Sequence, residues 1–286
     1  MTGDPCATGE ALRRAVRTRH PVRSKEVDQA TWRWQDTAPA RTDAPAGTRS
    51  QELPLILLPG ALGTAEVFFR VLDAMERDCR LVAVTFPAIG DAQALATRLL
   101  DFLDAIGIGR FHLLGTSLGG YVAQIVALVA PARIATLVLA NTFADPTQQQ
   151  ARWPAAADYA TQAEADVLVA ARRQLEAGEP KTTRAAELKS TMLSLVGSEQ
   201  GAADVKAMRL AVLTAVPLPV VSLPAESIVL VDDSEDPVIA RETRDALRSR
   251  YAGSRHIDIA GGGHFPANLQ PDAYVAALRS AIGVAP

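Results

Sequence analysis

A serine stands between two glycines where one apolar run ends and another begins, in the segment GTSLG at residues 115–119. The run before it is FHLLG (111–115), and the run after it starts at Leu118. A serine hydroxyl is a weak nucleophile, so it needs a base to take its proton and donors to hold the oxyanion that forms. A tight strand-to-helix turn exposes the serine oxygen, and small flanking residues let neighbouring backbones approach. The spacing therefore predicts that Ser117 is an exposed nucleophile.

The base for this serine should lie later in the chain, and one of the four histidines stands out. His264 lies in the glycine-rich segment GGGHFP, just past the last apolar run, and open α/β sheets keep their active sites at the carboxyl ends of strands. His20 lies near the N-terminus and His256 opens a predicted strand. His112 lies inside another strand and is interpreted as a packed core residue. We predict that His264 is the base.

A carboxylate should orient the imidazole and balance its charge. The segment IVLVDDSEDPVIA (228–240) offers several acidic residues just after an apolar run. Asp236 begins DPV, three or four residues past the end of the predicted strand, which is the loop where the acid is needed. Asp232 or Asp233 is the alternative, and the other acidic side chains are interpreted as a solvated turn.

Two backbone N–H groups are candidates for the oxyanion hole. The helix that starts at Leu118 directs its first N–H groups, including that of Leu118, toward the serine. A second donor should come from the loop after the first buried strand, which reads LLPGALGTAEVFF (57–69). Gly60 and Gly63 give this loop freedom, and we predict that the N–H of Ala61 is the donor.

Strand and helix patterns alternate along the chain around these motifs. Apolar runs typical of strands buried on both faces occur at 53–58, 81–86, 111–115, 134–141, 227–233 and 255–260. Helical spacing occurs at 64–78, 91–106, 118–130, 238–251 and 272–282. The alternation predicts an α/β fold with a mostly parallel central sheet and helices on both faces. Segments 21–27 and 31–36 predict a hairpin, followed by a loop at 37–52.

The alternation is interrupted by an Ala-rich, charged and helical stretch that ends before the strand that carries the acid. The predicted organisation is therefore a loose N-terminal arm (1–19), a first part of the α/β core (20–143), a helical cap (144–223) and a second part of the core (224–286).

Composition excludes several classes of protein. The chain has 286 residues, of which 48% are hydrophobic and 21% charged, and its net charge is −3. This composition is typical of a globular protein, and the slight acidity predicts no nucleic-acid partner. Cys6 and Cys79 are too few for a disulfide framework, and no cysteine–histidine cluster indicates a metal. No apolar run reaches the length of about 18 residues that a membrane span needs. The charged N-terminus lacks the apolar region of a secretory signal, so we expect a cytoplasmic protein.

From about residue 20 to the end, the sequence resembles the α/β-hydrolase superfamily of the serine-nucleophile type. The elbow GTSLGG, the acid loop DDSEDPV and the histidine loop GGGHFP match in order and context, and the helical insertion falls where that family carries its cap. More narrowly, LPGALGTAEVFFRVL, GTSLGGYVAQ and LVLANTFADPT resemble the maspardin-like branch. The resemblance implies an α/β-hydrolase fold and a triad of Ser117, Asp236 and His264.

Two residues depart from the pattern that this resemblance implies. Pro59 stands where the superfamily usually has a histidine before the oxyanion glycine, which affects the local geometry but not the backbone donor. The maspardin branch carries asparagine where this chain has His264, and it is suspected of binding rather than catalysis. The histidine here removes that argument for an inactive protein.

The expected function is that of a serine hydrolase, of carboxylesterase or thioesterase type, that forms an acyl-enzyme with a small-molecule acyl substrate. This chemistry requires no metal and no organic cofactor. The alternatives are a non-catalytic, maspardin-like binding protein and a non-hydrolytic lyase or cyclase that reuses the triad. Oligomeric state is not predicted. Several side chains of the cap are expected either to line the pocket or, in preference, to pack cap against core: Trp153, Tyr159, Met192, Leu193 and Met208.

Overall fold

The computed structural model of the protein describes residues 5–38 and 53–284. Its strands are β1 (Arg23–Val27), β2 (Ala30–Asp36), β3 (Leu55–Leu58), β4 (Leu81–Thr85), β5 (Phe111–Thr116), β6 (Ile134–Ala140), β7 (Ile228–Asp232) and β8 (Arg255–Asp258). Its α-helices are α1 (Pro5–Arg19), α2 (Phe69–Met75), α3 (Ala92–Ala105), α4 (Leu118–Val129), α5 (Thr147–Gln150), α6 (Ala156–Thr161), α7 (Glu164–Ala177), α8 (Thr183–Leu195), α9 (Ala202–Leu213), α10 (Arg241–Arg250), α11 (Pro266–Leu269) and α12 (Pro271–Ile282). Short 3₁₀ turns occur at Ala65–Phe68, Pro131–Arg133 and Ala225–Ser227. Most of the predicted loop at 37–52 lies outside the described residues.

The strands form one eight-stranded sheet in the order β1-β2-β4-β3-β5-β6-β7-β8. The pairs β1–β2 and β2–β4 are antiparallel, and all other neighbours are parallel. The predicted hairpin and the mostly parallel sheet are therefore confirmed. The chain runs from β3 to β4 on one side and returns to β5 on the other, so the carboxyl ends of β3 and β5 are adjacent at a switch point. Open α/β sheets bind ligands at such a point.

The sheet is buried on both faces, which explains the short, continuous apolar runs of its sequence. In β3, Leu55 and Leu57 join the hydrophobic core on one face, whereas Ile56 and Leu58 join the core on the other. All four side chains are fully buried. Helices α3 and α4 cover one face, and α2 and α12 cover the other. Each buried aliphatic side chain contributes about 1.5–3 kcal/mol relative to its exposure to water.

Helices α5 to α9 occupy the chain between β6 and β7, as the helical composition of this stretch predicts. They have a small apolar cluster of their own, formed by Tyr159, Val167, Ala171, Val196, Val205 and Leu213. Leu62, from the loop after β3, packs against this cluster. We refer to α5–α9 as the inserted helices; the boundaries of a cap domain at 144–223 stay a prediction.

The N-terminal segment differs from its prediction. A loose arm is expected over 1–19, but the chain forms the helix α1 from Pro5 to Arg19. Val16 of this helix is fully buried in the core on the α2 side of the sheet, and Leu12 packs against the same core. These contacts are tertiary, and the arginine-rich composition of the segment gives little indication of them.

A buried carboxylate fixes α1 to the core. The side chain of Glu66, which is 2% exposed, accepts hydrogen bonds from Arg13 Nη1 and, at 2.6 Å, from Arg17 Nη1. Arg17 also bonds Glu199 Oε1 at 2.6 Å, so α1 links the core to the segment that contains the inserted helices. Burial raises the pKa of Glu66, and the two arginines offset this rise only in part.

We predict that Arg13→Met lowers the free energy of unfolding by about 1–3 kcal/mol, because it removes a charged donor from a buried carboxylate. Urea unfolding measures this change. The matched control is Arg14→Met, since the Arg14 side chain is 71% exposed on the same helix. Equal stabilities of the two variants would contradict the assignment of α1 as a docked element.

Candidate active site

The serine motif folds as a strained turn between β5 and α4. Ser117 has φ 54° and ψ −120°, a left-handed backbone conformation that residues other than glycine rarely adopt. A Cβ on Gly115 would lie 2.2 Å from the carbonyl oxygen of Gly119, and a Cβ on Gly119 would lie 2.4 Å from that of Leu58. Both glycines are therefore required by close backbone contacts, as the sequence predicts.

Contacts with the end of β6 hold this turn in place. Ser117 N–H donates to the carbonyl of Ala140 at 3.0 Å. The Ser117 carbonyl accepts a bond of 2.6 Å from the hydroxyl of Thr142. A Cβ on Gly120 would lie 2.6 Å from the side chain of Thr142, so this glycine is also required by a close contact. The sequence did not predict this role of Thr142, because a threonine after a strand does not indicate which residue its hydroxyl will contact in the folded chain.

The predicted base and acid meet beside the carboxyl ends of β7 and β8. His264 Nδ1 lies 3.0 Å from Asp236 Oδ2, and the Asp236 side chain is fully buried. The second oxygen of Asp236 accepts backbone bonds from Val238 N (2.7 Å) and Ile239 N (3.1 Å). This geometry orients the imidazole so that Nδ1 faces the carboxylate and Nε2 is left for another partner.

Asn141, which follows β6 with φ 47°, is a further polar residue of the site that sequence reasoning missed. Its Nδ2 donates to Asp236 Oδ2 at 2.9 Å and to the carbonyl of Gly263 at 2.8 Å. Asn141 thereby ties the acid loop to the histidine loop. Burial raises the pKa of Asp236, but the hydrogen bond and charge of His264, together with the bond from Asn141, lower it by more, so the net pKa is below its usual value.

The alternative acids are engaged elsewhere. Asp232 Oδ1 pairs with Arg248 Nη2 at 2.6 Å. Asp233 Oδ2 accepts the backbone N–H of Gly263 at 2.7 Å, so it shapes the histidine loop without touching the imidazole. Of the three aspartates, the structure brings only Asp236 to His264.

The other histidines lie outside the site. His20 Nε2 bonds Glu76 Oε2 at 2.6 Å, and His256 Nε2 bonds Asp232 Oδ1 at 3.0 Å. His112 is half-buried within β5, and its Nδ1 has no hydrogen-bond partner among the described residues. Burial lowers the pKa of His112. These positions agree with the interpretation of His112 as a packed residue.

The loop that carries Ala61 lies against the serine turn, because β3 and β5 are neighbours. A Cβ on Gly60 would lie 3.2 Å from Ser117 Cβ. Within the described ranges, the backbone N–H groups of Ala61 and Leu118 donate to no acceptor, so both are available. The Ala61 carbonyl accepts a bond of 2.9 Å from Gln200 Nε2, which holds the loop to the segment that contains the inserted helices.

Ser117 and His264 line one cavity of about 510 Å³. Pro59 and Ala61 from the β3 loop line it too, and most of its remaining wall is apolar. Trp153 also lines the cavity, although the sequence favours a packing role. No hydrogen bond joins the serine hydroxyl to the imidazole in the part of the chain that the structure describes, and such bonds often tighten only when substrate is present.

Two further features concern cofactors and membranes. The described residues contain no group of three or more histidine, cysteine or acidic side chains placed to hold a metal ion. Over the same ranges, no helix combines the length and the apolar character required to cross a bilayer.

The comparison with known proteins agrees with the fold. Residues 55–277 match the alpha/beta hydrolase family, and the chain belongs to that family. Human maspardin is 36% identical over 113 residues, which are 38% of this chain and 37% of maspardin. The chain thus spans well under half the length of the curated relatives that it matches first.

Solved structures share the fold at low sequence identity. A hydrolase from Pseudomonas aeruginosa superposes with a TM-score of 0.67 at 22% identity, over 92% of this chain and 99% of that one. The enol-lactonase from Burkholderia xenovorans gives a TM-score of 0.69 at 14% identity, over 91% and 100% of the two chains. These similarities establish an α/β-hydrolase fold.

We predict that Gly119→Ala destabilises the protein by about 1–3 kcal/mol or more, because the new Cβ collides with the rigid carbonyl of Leu58. Urea unfolding and near-ultraviolet circular dichroism measure the effect. Gly109→Ala is the matched control, since no atom lies within 4 Å of its added Cβ. If the two variants were equally stable, the close approach at the turn would be wrong.

A second prediction concerns Asp236 and pH. Its folded pKa is lowered, whereas an unfolded aspartate titrates at about 3.9. Ionised Asp236 therefore stabilises the fold above that pH, and the contribution is lost as pH falls through the folded pKa. We expect the free energy of unfolding of wild type to exceed that of Asp236→Asn by about 1–3 kcal/mol near pH 5, and the difference to shrink as pH falls below about 3.9. Urea titrations across this range test it; a gap that widens in acid contradicts it.

Proposed function

We propose that the protein is a serine hydrolase that cleaves an ester, thioester or related acyl compound. The observation that carries the proposal is the contact of His264 Nδ1 with the buried Asp236 carboxylate, on a cavity that a strained Ser117 also lines. A nucleophile, a base and an orienting acid are the parts that acyl transfer by serine requires.

In the first half of the reaction, His264 Nε2 takes the hydroxyl proton of Ser117 as Oγ attacks the substrate carbonyl carbon. The backbone N–H groups of Ala61 and Leu118 stabilise the oxyanion of the tetrahedral intermediate. When the intermediate collapses, the bond to the leaving group breaks, and the alcohol or thiol departs with the proton from His264. The acyl group is then bonded to Ser117.

In the second half, water attacks the acyl carbon and gives its proton to His264. The second intermediate expels Ser117 Oγ, which recovers that proton, and the acid product leaves. Asp236 stays ionised throughout, because its pKa is held below the usual value, and it stabilises the imidazolium that forms twice per cycle. No metal or organic cofactor enters these steps.

The inserted helices act in this proposal as a cap (144–223) that sets the shape of the substrate. Support comes from Gln149, Trp153 and Arg209, which lie in this segment and line the same cavity as the serine. The cavity lies between the loops at the sheet edge and these helices, so variation in the helices would change the substrate without altering the triad.

The similarity to maspardin favours a second candidate, a non-catalytic binding protein on the same fold. The two candidates differ in what Ser117 does. A binding protein has no need of a nucleophile that becomes covalently modified, whereas a hydrolase forms a bond between Ser117 Oγ and the substrate.

We predict that a fluorophosphonate probe labels the wild type and that p-nitrophenyl esters or acyl-thioesters of some chain length are hydrolysed. Ser117→Ala should abolish labelling and lower kcat by up to about 10⁶-fold. Asp236→Asn should lower kcat by up to about 10⁴-fold, because the imidazole takes the wrong tautomer.

Ser249→Ala is the control, because Ser249 is exposed on α10, outside the cavity. This variant should label and turn over as wild type does. A folded wild type that neither reacts with the probe nor hydrolyses any ester or thioester of the series would favour the binding candidate.

A further inference from the structure

The cavity contains an arginine that the triad does not use. Arg209 of α9 lines the same cavity as Ser117, and its guanidinium carbon lies 3.2 Å from the centre of the Trp153 ring. Among the described residues, Arg209 forms no ion pair with a carboxylate. The Arg209 side chain is half-buried. Partial removal of a charge from water without a counter-ion is costly, and a ligand of opposite charge offsets that cost.

Within residues 5–38 and 53–284, the hydroxyl of Tyr159 is the one polar side chain with an electrostatic effect on this guanidinium. Burial lowers the pKa of Arg209 and Tyr159 raises it by less, which leaves a pKa of about 10, so the side chain is a cation at neutral pH. A guanidinium has five N–H donors, and one hydroxyl oxygen satisfies only part of them. Donors of Arg209 therefore remain for a ligand.

A second buried polar group lines the same cavity without a partner. Gln149 of α5 is 7% exposed, and neither its Oε1 nor its Nε2 is hydrogen-bonded within the described residues. Leaving a buried amide unsatisfied costs free energy, so native proteins usually provide a partner. A ligand oxygen in the cavity would accept from Nε2.

The charge of the cavity wall also favours an anionic ligand. Two arginines, Arg152 and Arg209, line it, and none of its described lining residues is a carboxylic acid. The wall is therefore complementary to an anion and unfavourable to a cationic ligand.

We propose that Arg209 and Gln149 form a carboxylate-binding subsite, so that the substrate is an acyl compound that carries a carboxylate apart from the carbonyl that Ser117 attacks. A planar guanidinium matches the two oxygens of a carboxylate, and the stacking on Trp153 holds it in one orientation. The inference rests on the proposed function for the reaction itself, but the binding of a carboxylate to the subsite does not depend on catalysis.

The kinetic test compares charged esters with neutral esters of similar shape. Half p-nitrophenyl esters of succinate, glutarate and adipate carry the carboxylate on the acyl side. Esters formed on the phenol oxygen of 4-hydroxybenzoate carry it on the leaving group. Each is paired with an ester in which an isopropyl group replaces the carboxylate. Arg209→Met should lower the charged-to-neutral ratio of kcat/KM by about 10- to 100-fold for at least one placement.

Two more variants sharpen this result. Arg209→Lys should give an intermediate ratio, because lysine keeps the charge and loses the planar pair of donors. Arg173→Met is the matched control, since Arg173 is exposed on α7 and does not line the cavity. It should leave the ratio unchanged. Melting temperatures verify that each variant is folded.

The binding test uses free glutarate and adipate, with isothermal titration calorimetry on wild type and Arg209→Met. Tighter binding to wild type by about 10-fold or more supports the subsite, even for a protein that hydrolyses nothing. If esters are hydrolysed but neither the ratio nor the binding responds to Arg209→Met, the subsite is wrong and the serine hydrolase stands. If no ester is hydrolysed and no probe reacts, while binding still depends on Arg209, the proposed function is wrong and the subsite stands.

Discussion

The close backbone approach at the end of β5 is the constraint from which the rest of the site follows. Gly119 brings the start of α4 against the carbonyl of Leu58, at a distance that leaves no room for a side chain. The serine turn lies against the loop after β3, and within this turn Ser117 has a left-handed conformation. The parallel pairing of β3 with β5 places the loop after β3 and Ser117 side by side. The burial of two neighbouring strands thus offsets the free-energy cost of the strained conformation at one residue.

The second half of the site is held by polar contacts rather than by close packing. Asp236 lies at the centre of it, because its two oxygens receive the imidazole, the amide of Asn141 and two backbone N–H groups. Three consecutive strands, β6, β7 and β8, each contribute one loop to this network. An imidazole held in this way has one tautomer and one orientation, which a base needs before substrate arrives. The sheet therefore fixes relative positions that no single loop could maintain.

Most of the central sheet could be predicted from the sequence, because burial on both faces produces apolar runs that few other structures share. The residues of the proposed triad could also be singled out from the sequence, since each lies in a glycine- or acid-rich loop directly after such a run. Helix α1 could not be predicted from the sequence, because it is stabilised by Glu66, a carboxylate about 50 residues away in the chain. Asn141 and Arg209 were missed for a related reason. Their roles come from partners that only the folded chain brings near.

The distribution of charge separates the two parts of the cavity. The groups assigned to bond making come from loops at the sheet edge, where strand pairing fixes their positions. The cationic groups, Arg152 and Arg209, come from the segment between β6 and β7, which has a small apolar cluster of its own. A change in this segment can alter the charge that the cavity accepts without disturbing β3, β5 or β7. Under the proposed function, this arrangement offers a physical reason why chains of one fold and little common sequence can act on different compounds. The sheet would preserve the reacting geometry, and the inserted helices would decide which molecule fits.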